Sequence, residues 1–283
     1  MTTLDTFEED DADVSVKSPF DHDVLAREMW SYSVWTHHPD PLTILLIHGF
    51  RTDEKKASKN YNTFKRKLAE IDTRLADCTR TFSWPSRSSI LDGTQFFLAK
   101  DEVAREAGRM LGDGILLDMA LPRARPRDYV LVAHSLGSRV VMEALARILD
   151  QRPDAGRQFR VLLMAAALPV EDFGTETDIT PYAHIVKSIA SVDVLHSTND
   201  RALGIVFRTG YLGATSGAVG REGKPDHVWD HSAEFTPYRH RHYWADVNNK
   251  ATNHLGDLLG FEVIRTMDEG VMDNGDVLDA GVI

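Results

Sequence analysis

A serine stands where an apolar run gives way to an amphipathic one. In VLVAHSLGSRVVMEALARIL, Val130 to Leu149, Ser135 sits at that junction with the small residues Ala133 and Gly137 on either side. This is the spacing of the elbow pattern G-x-S-x-G, in which small flanking residues leave room for a tight turn that lifts the serine hydroxyl clear of the backbone. Alanine at the first flanking position meets the same steric requirement. The Leu136 N–H, at the head of the following helix, then faces the oxyanion that develops when Ser135 attacks a carbonyl. The plainer reading of the same residues is a serine that caps a helix.

Acyl transfer needs further groups, and three other segments offer them. LLIHGF, Leu45 to Phe50, ends an apolar run in a glycine, which lets the backbone turn the N–H of Phe50 or Arg51 into a site as a second oxyanion donor. His48 is read there as a structural residue that holds the loop. VDVLHSTNDRAL, Val192 to Leu203, is a strand pattern ending in a polar turn with Asp200, a carboxylate able to fix the tautomer of a histidine. Asp193 falls inside that strand, Asp172 after the preceding strand competes for the role, and an aspartate in a turn is common in any case. For the base there are His227, His231, His240, His242 and His254, of which His240 and His242 lie in the loop YRHRHYWAD, Tyr238 to Asp246.

These groups must be carried by a scaffold. Strand patterns run over Met29–Thr36, Leu42–His48, Thr79–Ser83, Tyr129–Ala133, Phe159–Ala165, Ser191–His196 and His227–Ser232. Between them the spacing turns helical, over Tyr61–Ile71, Asp101–Met119, Leu136–Leu149, Ile179–Ser188 and Ala251–Met267. Alternating strands and helices imply parallel strands joined by crossovers, and the continuous apolar runs at Leu42–Ile47 and Tyr129–Ala133 mark strands covered on both faces. The expected fold is α/β, a mostly parallel central sheet with helices on both sides. One domain over residues 23–270 is expected, after an acidic, solvated tail at 1–22 and before a loose segment at 271–283. Gly204, Gly210, Gly213, Gly217, Gly220 and Gly223 mark a long connection that reads equally as a surface loop or a flap beside a site.

Composition narrows the partners. The 283 residues hold 32 Lys and Arg against 43 Asp and Glu, a formal net charge of −11, which repels nucleic-acid phosphates and anionic lipid. The single cysteine, Cys78, forms no intramolecular disulfide, and the N-terminus has no leader pattern, so a cytoplasmic location is expected. The longest apolar stretches fall short of the roughly 20 residues of a membrane span.

Four segments taken together resemble the α/β-hydrolase superfamily, and more narrowly a bacterial group of uncharacterised hydrolases of the DUF900 kind. They are IHGF at Ile47–Phe50, FSWPSR at Phe82–Arg87, AHSLGSRVVMEAL at Ala133–Leu145 and STNDRAL at Ser197–Leu203, within a span from Thr43 to Trp244. The order serine, acid, histidine along the chain is that of α/β-hydrolases. The resemblance implies Ser135 as nucleophile, Asp200 as acid and the loop after Gly49 as part of an oxyanion hole. Related hydrolases show a histidine before an aromatic pair, H-x-x-Y-W or H-x-Y-Y; the first register favours His240, with His242 the alternative base. The implied activity is a cofactor-free serine hydrolase acting on a small-molecule ester or related acyl bond.

Two other readings compete. The fold can serve as a binding scaffold without chemistry. A metal-dependent hydrolase would draw on His227 and His231 with Asp226, Asp230 or Asp246, but Val228 and Trp229 between the histidines favour a strand, which separates their side chains. Phe96, Phe97, Leu98, Phe207 and Tyr211 are core residues or pocket lining.

Overall fold

The structure, a computed structural model, describes residues 41–261 apart from 51, 53, 87–92, 123–125, 174–179, 208–216, 224–230, 236–237, 241 and 245–248. The expected strand Met29–Thr36 and the terminal segments 1–22 and 271–283 lie outside the described residues.

Among the described residues, six strands form one sheet: β1 (Leu42–Ile47), β2 (Thr79–Phe82), β3 (Asp128–His134), β4 (Phe159–Met164), β5 (Ser191–His196) and β6 (His231–Glu234), in the order β2-β1-β3-β4-β5-β6. Every pairing is parallel. Helices connect them: α1 (Glu54–Ile71), α2 (Thr73–Asp77), α3 (Gly93–Ala120), α4 (Gly137–Gln151), α5 (Ala183–Ser188), α6 (Val219–Glu222) and α7 (Lys250–Leu258). This is the expected α/β architecture. The two strands with continuous apolar runs, β1 and β3, are adjacent at the centre, and Ile44–Ile47 and Val130–Ala133 are buried on both faces. A strand covered from both sides has no solvent face on which polar residues would be favoured.

Helix α4 packs along α3 at close range because α3 presents two glycines. A Cβ at Gly108 would lie 2.6 Å from Glu143 Cβ, and one at Gly112 would lie 2.8 Å from the Ala144 carbonyl oxygen. The apolar positions of α4, Val140, Val141, Ala144, Leu145 and Ile148, recur at helical spacing and are buried. Between the two helices the buried Arg139 side chain donates through Nε to Asp101 at 2.8 Å, and Arg105 bridges Asp101 and Glu143 at 2.9 and 2.7 Å. A buried guanidinium with carboxylate partners fixes how the two helices meet, since losing one partner would leave a charge unpaired.

The larger differences from the sequence reading lie at helix ends. Helix α1 begins at Glu54, not Tyr61, α3 begins at Gly93, not Asp101, α5 begins at Ala183, not Ile179, and α7 ends at Leu258, not Met267. The described part of the last strand runs to Glu234, two residues past the expected end. In the glycine-rich connection, Leu203–Phe207 forms a single π-type turn and Ala218 bridges Pro169, leading into α6.

Candidate active site

Parallel strands deliver their C-terminal ends to one edge of the sheet, and the polar groups singled out in the sequence gather there. β3 ends at His134 and the chain turns sharply through Ser135 into α4. Ser135 has φ of 53°, left-handed backbone that a non-glycine residue adopts only where its surroundings impose it. Those surroundings are specific: the Ser135 N–H donates to Met164 O at 2.9 Å, and the Ser135 carbonyl accepts from the N–H of Ala167 at 3.1 Å and of Ser138 at 3.0 Å. Room is as tight as the small flanking residues suggest. A Cβ on Gly137 would lie 2.5 Å from His48 O, and one on Gly49 would lie 2.7 Å from Ser135 Cβ. Ser135 is not a helix cap; α4 starts at Gly137 with Leu136 as its N-cap, and no side chain caps it.

The Ser135 hydroxyl faces His240 instead. His240 Nε2 is 2.9 Å from Ser135 Oγ, and His240 Nδ1 is 2.8 Å from Asp200 Oδ2. Asp200 is fully buried in the turn after β5, where its second oxygen accepts the Leu203 N–H at 3.0 Å. Burial alone would raise this carboxyl, but the hydrogen bond and charge of His240, with the Leu203 N–H, outweigh it and hold Asp200 below its ordinary value. An ionised carboxylate only accepts, so the hydrogen between them is on Nδ1 and the Nε2 lone pair is directed to the serine. An imidazole held this way can take a proton from the hydroxyl and remain stabilised as imidazolium.

The other candidates are elsewhere. His242, two residues from His240, turns away, and its Nδ1 accepts the Arg239 N–H at 3.2 Å. Asp172 receives Arg139 at 2.8 Å and has no part in the His240 contact. His254 meets the buried Asp193 at 3.2 Å, which pins α7 to the sheet. His231 lies in β6; His227, Asp226, Asp230 and Asp246 lie outside the described residues. Among the described residues, no group of three or more His, Cys, Asp or Glu is placed to hold a metal ion. Phe207 is core, whereas Tyr211 and the side chains of Phe96, Phe97 and Leu98 lie outside what is described.

The loop after β1 crosses directly over the serine. Phe50 is half-buried there, and Arg51 lies outside the described residues. Three residues to which the sequence reading attached no role help His48 to hold this loop. The Tyr61 hydroxyl accepts the His48 N–H at 2.7 Å and donates to Phe82 O at 2.8 Å. Trp84 donates its backbone N–H to His48 Nε2 at 3.2 Å and its indole N–H to His48 O at 2.7 Å, with its ring stacked on the imidazole. Ser86 Oγ accepts the Thr52 N–H at 3.2 Å and donates to Thr52 O at 2.8 Å. The segment Phe82–Ser86 is therefore a clamp on the loop, and the only local trace of it in the sequence is a hydrogen-bonding Trp and Ser just past a strand. His48 holds the loop as expected, with Nδ1 on Gly49 O at 3.0 Å.

Burial pulls the His48 ring down to about 4, against a smaller opposing effect of the Gly49 carbonyl. A ring neutral in the fold but protonated when unfolded adds stability that is complete above its ordinary value and is lost as pH falls toward the folded value. The midpoint of urea unfolding is expected to drop between pH 7 and pH 4.5, by a stability on the order of a few kcal/mol, and less so in His48→Gln. An unchanged midpoint would contradict this.

Known proteins place the chain in context. It is 30% identical over 159 residues to the transmembrane and coiled-coil domain-containing protein STS1 of Oryza sativa subsp. japonica, a match covering 54% of this chain and 22% of that protein. The chain thus spans about a fifth of that relative's length. Among the described residues, no helix is long and apolar enough to cross a membrane. Of solved structures, an uncharacterized protein from Bacillus cereus is 13% identical with a TM-score of 0.44, over 83% of this chain and 66% of that one. MenH from S. aureus is 11% identical with a TM-score of 0.37, over 79% of this chain and 96% of that one. A family model matches residues 33–216, a span that holds Ser135 and Asp200 and ends before His240. With most of its length matched to that model and an all-parallel sheet beneath the elbow, the chain belongs to the DUF900 family, the alpha/beta hydrolases of unknown function.

Proposed function

We propose that this protein is a serine hydrolase that cleaves a carboxylic ester or related acyl bond through an acyl-enzyme, with Ser135 as nucleophile, His240 as general base and acid, and Asp200 as the carboxylate behind it. The observation that carries the reading is the His240 imidazole, within 2.9 Å of the serine oxygen on one side and 2.8 Å of the aspartate on the other.

In this mechanism Ser135 Oγ attacks the carbonyl carbon while His240 Nε2 takes its proton. The carbonyl electron pair moves to oxygen, which is held by the Leu136 N–H and by the Phe50 or Arg51 N–H. Collapse of the tetrahedral intermediate expels the leaving alkoxide, which receives the proton from His240. Water then gives a proton to His240 and attacks the acyl carbon, and the serine leaves with that proton as the acid is released. Asp200 stays ionised throughout and stabilises the imidazolium.

A series of p-nitrophenyl esters of rising acyl length tests the reading. Turnover of at least one member is expected, with a burst of p-nitrophenol approaching one equivalent per chain where deacylation is slow. No turnover of any member would count against an ester substrate. In the same assay Asp200→Asn is expected to lower kcat by about 10⁴, because the amide can donate to Nδ1 and so favours the wrong tautomer; Asp172→Asn should leave kcat nearly unchanged. A reversed order of these two would assign the acid to Asp172.

A further inference from the structure

We propose that His134 is a positioning residue that fastens the backbone of His240 to the strand bearing the nucleophile. The proposal rests on the reading of Ser135, His240 and Asp200 as a catalytic triad. His134 is the last residue of β3, immediately before Ser135, and its Nε2 lies 2.6 Å from the carbonyl oxygen of His240. A carbonyl can only accept, so His134 donates and carries its hydrogen on Nε2. The side chain is buried, its ring covered by the rings of His240 at 4.9 Å, Trp244 at 5.9 Å and Tyr243 at 6.3 Å. Burial first, and then the neighbouring His240, draws the ring down to about 3, so the donor stays neutral and in one tautomer wherever His240 can act as a base.

The physical need follows from topology. Ser135 follows β3 and Asp200 follows β5, whereas His240 lies on a loop beyond β6 and must reach both. On the Asp200 side that loop is tied to β5 and its turn: the Phe235 N–H donates to His196 O at 2.8 Å and Ser197 Oγ to Tyr238 O at 2.7 Å. The His134 bond supplies the tie on the Ser135 side. Base and nucleophile are then referred to the same strand end, so the gap between Nε2 and Oγ does not depend on how the loop settles. A displacement of about 1 Å between reacting groups is enough to cost about 10² in rate.

The test compares His134→Phe, which keeps an aromatic ring without a donor, His134→Asn, whose amide is too short to reach, and His134→Gln, whose amide N–H can take the place of Nε2–H. All are assayed with a p-nitrophenyl ester that the wild type turns over and with a fluorophosphonate, with folding checked by circular dichroism. Phe and Asn are expected to lower kcat and the labelling rate by about 10- to 100-fold with KM within about twofold, while Gln restores most of kcat. Should the Phe variant fail to fold, Asn against Gln decides. A folded Phe or Asn variant with wild-type kcat, or a Gln variant no better than they are, would overturn the proposal. These results are distinct from failure of the triad itself: if Ser135→Ala matches the wild type, the triad falls and this role falls with it, whereas an inactive Ser135→Ala beside a fully active His134→Phe removes the positioning role alone.

Discussion

Replacing Ser135 with alanine is expected to lower kcat for ester hydrolysis by on the order of 10⁵ to 10⁶, leaving a folded protein. The loss is that large because, among the described residues, Ser135 Oγ is the hydroxyl that faces His240 Nε2, and without a nucleophile the remaining groups can only assist attack by water. Oxyanion donors and binding alone still leave a rate about 10³ to 10⁴ above the uncatalysed reaction, so the variant should be slow rather than indistinguishable from buffer. Folding should survive because the turn is held by backbone bonds to Met164 and Ala167 that alanine keeps. Adding His240→Ala to Ser135→Ala should cost almost nothing more, since the two act as a unit. An additive further loss would mean that His240 serves the reaction in some way unconnected with Ser135.

The second large effect separates two histidines. His240→Ala is expected to lower kcat by about 10⁴ to 10⁶, while His242→Ala should stay within about tenfold of wild type, as expected for a side chain outside the reacting groups. Their sequence positions differ by two, but the turn between them sends the rings apart. His240 reaches Ser135 and Asp200, whereas His242 folds back to its own loop at the Arg239 N–H and packs edge-on against Tyr238. Losing His242 can loosen that loop, which would show as a modest fall in kcat and in thermal stability. A collapse of activity in His242→Ala with His240→Ala still active would exchange their roles.

Much of the scaffold is legible in the residues because burial leaves a pattern. β1, β3 and β4 read as apolar runs since helices cover both faces, and α4 reads as a helix since only one side meets the core. Legibility fades where burial does. The first turns of α1, rich in Lys and Ser, are mostly exposed and carry no apolar period, which is why the helix reads as starting at Tyr61. The described part of β6, HSAE, stands last in the sheet order among the described residues and has too few apolar residues to mark its end.

The site divides along the same line. The turn through Ser135 is legible because its steric demand acts locally, on Ala133 and Gly137. Choosing between Asp200 and Asp172 is not a local matter: Asp172 is occupied by Arg139, from a helix 33 residues earlier. The roles of Trp84, Ser86 and Tyr61 were hidden for that reason too, since each acts on a loop from another strand or helix. His134 reads as one polar residue at the end of an apolar strand, and only the folded chain brings the His240 carbonyl, 106 residues on, to its ring.

Covalent labelling tests the central claim most directly. A fluorophosphonate reacts at a serine whose neighbouring base draws off its proton, and the phosphonylated residue can be found by peptide mapping. One adduct per chain is expected, on Ser135, absent from Ser135→Ala and strongly slowed in His240→Ala. Folded wild-type protein that takes no label, or takes it on a residue other than Ser135, would contradict it.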